Sequence, residues 1–174
     1  MNKFPELTKF SHLLASFFGI GLLPIAPGTW GSLAGLLLFF LFIYLQLSFF
    51  LIVSLFLCFV VSSIIVCEIA SKDLVEKDHK AIVIDEVAGA WLSFLFIPFL
   101  GVYNFSTSEW LDASYLAACI LFVLFRFFDI FKPHPISFFD RKFKSGLGIV
   151  LDDLLAGVFA GLTLLGGNFF IQIF

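Results

Sequence analysis

The stretch "SFFLIVSLFLCFVVSSIIVCEIA", Ser48 to Ala70, carries a single charge, Glu68, near its end. As a helix rising 1.5 Å per residue it would extend about 34 Å, enough to cross a hydrocarbon core of about 30 Å. The whole chain shares this character. Of its 174 residues 61% are hydrophobic, 27 are Phe and only 13% are charged, against about 25% in soluble proteins. Mean hydropathy is +1.10. That composition excludes a water-soluble domain and predicts an all-α, polytopic membrane bundle. Net charge is -3 and pI about 5.5, and no basic patch points to nucleic acid.

Four further apolar runs lie outward from the first, at about 31–46, 86–104, 112–131 and 149–172, giving about five transmembrane helices. Ahead of them, residues 6–22 hold too few uninterrupted apolar residues to span and are expected to form an interfacial or re-entrant helix. The Pro/Gly-rich break "LLPIAPGTWGS" follows it. Lys3 and Lys9 precede this segment, but no small-x-small cleavage site follows, so it is expected to be retained. No repeat or linker divides the chain, and residues 1–174 read as one domain. "GSLAG" (Gly31, Gly35) and "GVFAG" (Gly157, Gly161) have the small-xxx-small spacing that lets helices approach closely in lipid. Cys58, Cys67 and Cys119 fall inside apolar runs and read as small buried hydrophobes.

The ten basic residues fall in three groups: Lys3 and Lys9; Lys72, Lys77 and Lys80; and Arg126, Lys132, Arg141, Lys142 and Lys144. Five crossings bring all three groups to one side, which the positive-inside rule makes cytoplasmic, with the C-terminus outside. Of the 13 acids, all but Glu109 and Asp112 share that side.

Five of those acids sit at one depth near the ends of predicted spans: Asp85 and Glu86, Asp129, and Asp152 and Asp153. Charges in a membrane segment are costly and face a bundle interior or aqueous cavity. Converging carboxylates also repel one another unless cations or protons neutralise them, and Mg²⁺, a hard cation with oxygen ligands, answers that need. A competing reading makes Asp85, Glu86, Asp152 and Asp153 caps that favour helix N-termini. Arg126, Asp129 and Lys132, at i, i+3 and i+6, occupy about 120° of one helix face. They form either a local ion-pair ladder or a metal or phosphate ligand between two phosphate-binding cations. Pro133 and Pro135 end that helix and turn Arg141, Lys142 and Lys144 along the headgroup layer.

"PGTWGS", Pro27 to Ser32, opens a helix whose free backbone N–H groups are candidates to hold an anion around Thr29, although an N-cap role for Thr29 or Ser32 also accounts for it. His12 and His79 lack metal-ligand spacing, and Glu68 with Lys72 reads as a helix ion pair. The cradle of cysteine phosphatases, the motifs of histidine-dependent lipid phosphatases and the pattern of CDP-alcohol phosphotransferases are all missing, which leaves metal-assisted chemistry.

"PGTWGSLAG", "IVIDEVAGAW", "FRFFDIFKPHPISFFDRK" and "GIVLDDLLAG", in this order and spacing, resemble phosphatidylglycerophosphatase A, a family of bacterial inner-membrane lipid phosphatases. The resemblance covers residues 19–161. It implies Mg²⁺-dependent hydrolysis of phosphatidylglycerophosphate to phosphatidylglycerol in phospholipid biosynthesis. The family's acidic motif falls on Asp85 and Glu86, its Arg-Phe-x-Asp-x-x-Lys-Pro motif on Arg126, Asp129, Lys132 and Pro133, its Phe-Asp-Arg on Asp140 and Arg141, and its twin acids on Asp152 and Asp153.

The resulting expectation is Mg²⁺ on some of Asp85, Glu86, Asp129, Asp152 and Asp153, with Arg126, Lys132, Arg141 and Thr29 as phosphate contacts and one carboxylate accepting the proton of an attacking water. An aspartyl-phosphate intermediate stays open, as do the roles of His79 and His134 and a homo-oligomeric state. Membrane lipids are the surrounding partners. The alternative function is a small cation-coupled transporter using the same acids as its ion site.

Overall fold

A computed structural model describes residues 5–74, 79–100, 108–142 and 145–173. Its regular structure is entirely helical: α1 Phe10–Ala15, α2 Pro27–Tyr44, α3 Phe49–Ala70, α4 Ile84–Phe94, α5 Ser108–Phe131, α6 Ile136–Lys142 and α7 Gly146–Ile173, with 3-10 turns at Ile20–Leu22, Ser71–Asp73 and Ile97–Leu100. Lys3, Lys77 and Lys144 lie outside the described residues, as do the side chains of Glu109, Asp112, Asp140, Arg141 and Lys142.

Local chemistry sets the ends. Pro27 occupies the first position of α2, where its missing N–H costs nothing. Ser48 caps α3, its Oγ accepting from the Leu51 N–H at 3.4 Å. In α3 and α7, Ser54, Ser62, Ser63 and Thr163 donate to carbonyls four residues back, so their hydroxyls carry no unpaired donor into apolar surroundings.

Among the described residues, three helices are long and apolar enough to cross a membrane: α2, α3 and α7 over Gly146–Phe169. α5 has the length, with 24 residues. The run expected to span at 86–104 behaves differently. Its helix, α4, stops after 11 residues, about 16 Å, roughly half a hydrocarbon core. Pro98 explains the stop, because it supplies no N–H for the Phe94 carbonyl and disfavours α geometry at Ile97. The protein itself surrounds α4, which packs on α2, α3, α5 and α7 with Val87, Ala88, Ala90 and Phe94 fully enclosed. By contrast α3 presents Phe50, Leu57, Val61 and Ile65 outward, an apolar face suited to lipid.

The segment 6–22 likewise does not span. α1 has six residues, and the chain reverses through positive φ at Phe17, Phe18 and Gly19. The Val83 N–H donates to the Ala15 carbonyl at 2.9 Å, tying this segment to the entry of α4. His12, expected at a loop or interface, is buried, and its Nδ1 accepts from the Glu6 N–H at 3.1 Å. Of the cysteines only Cys67 is buried; Cys58 and Cys119 lie exposed on helix surfaces, contrary to the reading of all three as buried.

Small residues bring α4 against its neighbours. A Cβ at Gly31 or Gly35 of α2 would stand 2.9 Å from the Val83 carbonyl oxygen or 2.8 Å from that of Val87. On α7 a Cβ at Gly157 would collide with the Gly89 carbonyl oxygen, and one at Gly161 with the Phe96 ring. Both small-xxx-small pairs are therefore helix contacts, as the sequence predicts. Glu68 does not act as a simple surface pair with Lys72. Its Oε2 accepts from the Gly146 N–H at 2.6 Å, binding the end of α3 to the start of α7. Replacing Gly157 with Leu should force α7 off α4 and lower stability by about 2 kcal/mol or more, read as a fall in thermal unfolding temperature in detergent.

Candidate active site

Glycine contacts decide where the charged ends meet. Gly89 in α4 lies so close to α7 that a Cβ there would be 2.6 Å from the Asp153 carbonyl oxygen. Asp85 and Glu86 occupy the first turn of α4, where the helix dipole favours acids. The close approach at Gly89 brings Asp153 to that turn. Carboxylate oxygens of Asp85, Glu86 and Asp153 all lie within 4.8 Å of one another, and Asp85 and Asp153 are buried.

The twin acids are not caps. α7 begins at Gly146, so Asp152 and Asp153 stand in its second turn and its first turn holds no acid. Three carboxylates this close repel one another in a medium of low dielectric. The Oε2 atom of Glu86 is buried without a hydrogen-bond donor among the described residues. An all-oxygen donor set with an unsatisfied buried acceptor fits a hard divalent cation such as Mg²⁺.

The end of α5 supplies the positive charge. Arg126 Nη1 sits 2.5 Å from Asp129 Oδ2 and donates to Ser32 Oγ of α2 at 3.3 Å. Ser32 in turn donates to the Gly28 carbonyl at 2.8 Å, and it is fully buried. The guanidinium therefore has contacts from two helices, with its Nε buried and without a partner among the described residues. Gly28 leaves the space that Arg126 and Glu86 use: a Cβ there would stand 3.2 Å from Arg126 Nη1 and collide with Glu86 Oε1.

Lys132, expected in one ladder with Arg126 and Asp129, reaches across to α7 and pairs with Asp152 Oδ2. One rung, Arg126 with Asp129, forms within α5, and the Lys132–Asp152 pair runs between helices. Asp129 stands beside Asp153 as well as Arg126, linking the cations to the trio.

Thr29 stays at the margin of this arrangement. The Thr29 and Trp30 N–H groups both bond to the Ala26 carbonyl, at 3.0 and 3.3 Å, and Pro27 has no N–H. That turn offers an anion at most the Gly28 N–H, fewer donors than the sequence suggested, and it is Ser32 that reaches Arg126. The Arg141 side chain lies outside the described residues, while its backbone belongs to α6, which packs against α7. His79 Nδ1 accepts from the Ala81 N–H at 3.2 Å in the approach to α4. Ser32 and Gly28 are the contributors that sequence reasoning missed. Their signal was present in the i, i+3, i+7 run of Gly28, Gly31 and Gly35, which marks one face of α2 as a close contact.

Comparison with known proteins gives this geometry a context. The family model for phosphatidylglycerophosphatase A matches residues 13–168. A phosphatidylglycerophosphatase A from Haemophilus influenzae is 43% identical over 150 residues, covering 86% of this chain and 83% of that protein. One from Escherichia coli is 40% identical over 148 residues, covering 84% and 77%. No solved structure matches. The resemblance read from four motifs thus extends over nearly the whole chain, which belongs to the phosphatidylglycerophosphatase A family.

Proposed function

We propose that this membrane phosphatase hydrolyses the terminal phosphomonoester of phosphatidylglycerophosphate, with Mg²⁺ held by Asp85, Glu86 and Asp153. The observation that carries the reading is the trio of carboxylates within 4.8 Å beside Arg126, in a chain 40–43% identical to phosphatidylglycerophosphatases. The transporter alternative finds no support in either. Phosphatidylglycerol and phosphate are the products, as phospholipid biosynthesis in a bacterial inner membrane requires. The clustering of basic residues at this end of the helices supports a site facing the cytoplasm.

Bound Mg²⁺ would supply Lewis acidity at a phosphoryl oxygen and make a nearby water more acidic. The chain's own groups do the rest. Arg126 offers a planar fork of donors to phosphate oxygens, preorganised by Ser32 and Asp129 so that little ordering remains when substrate arrives. Lys132 adds a second positive charge. Asp129, beside both Arg126 and Asp153, is the carboxylate assigned to accept the water's proton. The water oxygen forms the new P–O bond as the bond to the glycerol oxygen breaks, and that oxygen leaves as the lipid hydroxyl after taking up a proton.

Purified protein in detergent should release phosphate from phosphatidylglycerophosphate only with Mg²⁺, and a chelator should abolish release. Glu86→Gln and Asp153→Asn should each lower kcat by about 100-fold or more, the scale on which loss of a charge-stabilising group acts. Release that continues unchanged in chelator, or full activity in both variants, would overturn the assignment.

Gly28→Ala tests the space beside the trio. Its Cβ would press on Glu86 Oε1, so half-saturation by Mg²⁺ should rise about 10-fold or more, as when a residue orienting metal ligands is lost. Titration of activity against Mg²⁺, with thermal unfolding as the folding control, measures it.

A further inference from the structure

We infer that Asp152 is a positioning residue that holds Lys132 at the site, and that of the twin acids only Asp153 serves the divalent cation. The inference rests on the phosphatase reading above and divides the labour within it.

Adjacent residues on a helix point about 100° apart and do not face one partner. α7 uses that angle. Asp153 faces the first turn of α4, its oxygen within the 4.8 Å group with Asp85 and Glu86. Asp152, about 100° round the helix, accepts from Lys132 Nζ. Both aspartates are buried, at 5% and 4% exposure, so neither is a solvated surface charge.

Lys132 is delivered to this partner by its backbone. Its φ of 41° is left-handed, a conformation that strains a residue bearing a Cβ, and Pro133 prevents the helix from continuing. The side chain consequently leaves α5 and bridges to α7. The pair is asymmetric: the Lys132 side chain keeps 26% of its surface exposed, whereas that of Asp152 keeps 6%. The carboxylate is therefore the fixed anchor and the ammonium the group within reach of an incoming headgroup. An ammonium has three donors, so its bond to Asp152 is compatible with another to a phosphoryl oxygen. A lysine stem otherwise has four flexible carbons to order on binding. Asp152 meets that cost during folding.

Three purified variants, Asp152→Asn, Asp153→Asn and Lys132→Gln, separate the roles through two readouts. The first is the shift in unfolding temperature on adding Mg²⁺ or Mn²⁺ without substrate. The second is steady-state hydrolysis of phosphatidylglycerophosphate at saturating Mg²⁺. Asp152→Asn should keep the metal-induced shift while KM rises about 10-fold, as expected when a charged hydrogen bond to substrate is weakened. Lys132→Gln should behave alike. The double variant should be no worse than Lys132→Gln alone, because both changes remove one interaction. Asp153→Asn should lose the metal-induced shift.

Should Asp152→Asn alone fail to fold, the neutral pair Lys132→Gln with Asp152→Asn leaves no unpaired charge and supplies the same metal readout. Loss of the metal-induced shift in a folded Asp152 variant would overturn the inference, as would an unchanged KM or an additive double variant. A wild-type protein with neither a metal-induced shift nor Mg²⁺-dependent hydrolysis would instead remove the metal-phosphatase reading itself.

Discussion

The structure depends on burying a helix too short to cross the membrane. α4 has 11 residues, and in lipid its ends would leave unsatisfied backbone groups in hydrocarbon. Protein must therefore enclose it, and α2, α3, α5 and α7 do so. Enclosure at backbone contact needs missing side chains. Gly31 and Gly35 on α2, Gly89 on α4 and Gly157 on α7 provide them. The short helix then places its first turn, with Asp85 and Glu86, among the ends of the others.

That placement creates an electrostatic problem whose solution has the form of an active site. Five buried or half-buried acids meet two cations among the described side chains of the cluster, and the observed pairs take up two of the acids: Arg126 with Asp129 and Lys132 with Asp152. The remaining three carboxylates lie within 4.8 Å of one another. Burying like charges without compensation is costly, and the divalent cation proposed for this site would relieve it. Stability and function thus draw on the same arrangement, because the groups that neutralise acids in the resting protein are the groups suited to receive phosphate.

The apolar surface completes the division. Phenylalanine and leucine on the outer faces of α3 and α5 meet lipid, while alanine, glycine and serine line the contacts around α4. Large aromatic rings are buried there too, among them that of Trp91. Its ring lies among Phe42, Phe56 and Phe59, with centroids 5.0, 5.7 and 5.5 Å away, filling the space farther along α4 from the acids.

Composition and run length were enough to determine a helical membrane protein, because hydrocarbon admits only structures that satisfy their own backbone. The positions of the acids and of the Arg126–Lys132 stretch marked the end at which the charged groups gather, and four motifs pointed to the family. Helix length within an apolar run was not legible. Residues 86–104 are apolar enough to span, yet Pro98 and the enclosing helices decide that α4 ends early. The division among the five acids was equally hidden. Spacing along the chain shows that Asp152 and Asp153 point apart, but only helix packing decides what each one meets, since Lys132 and the first turn of α4 arrive from distant parts of the sequence. Local rules act over a few residues; the partners of a buried charge are chosen by whichever backbones can approach, and here glycines in three helices made that choice.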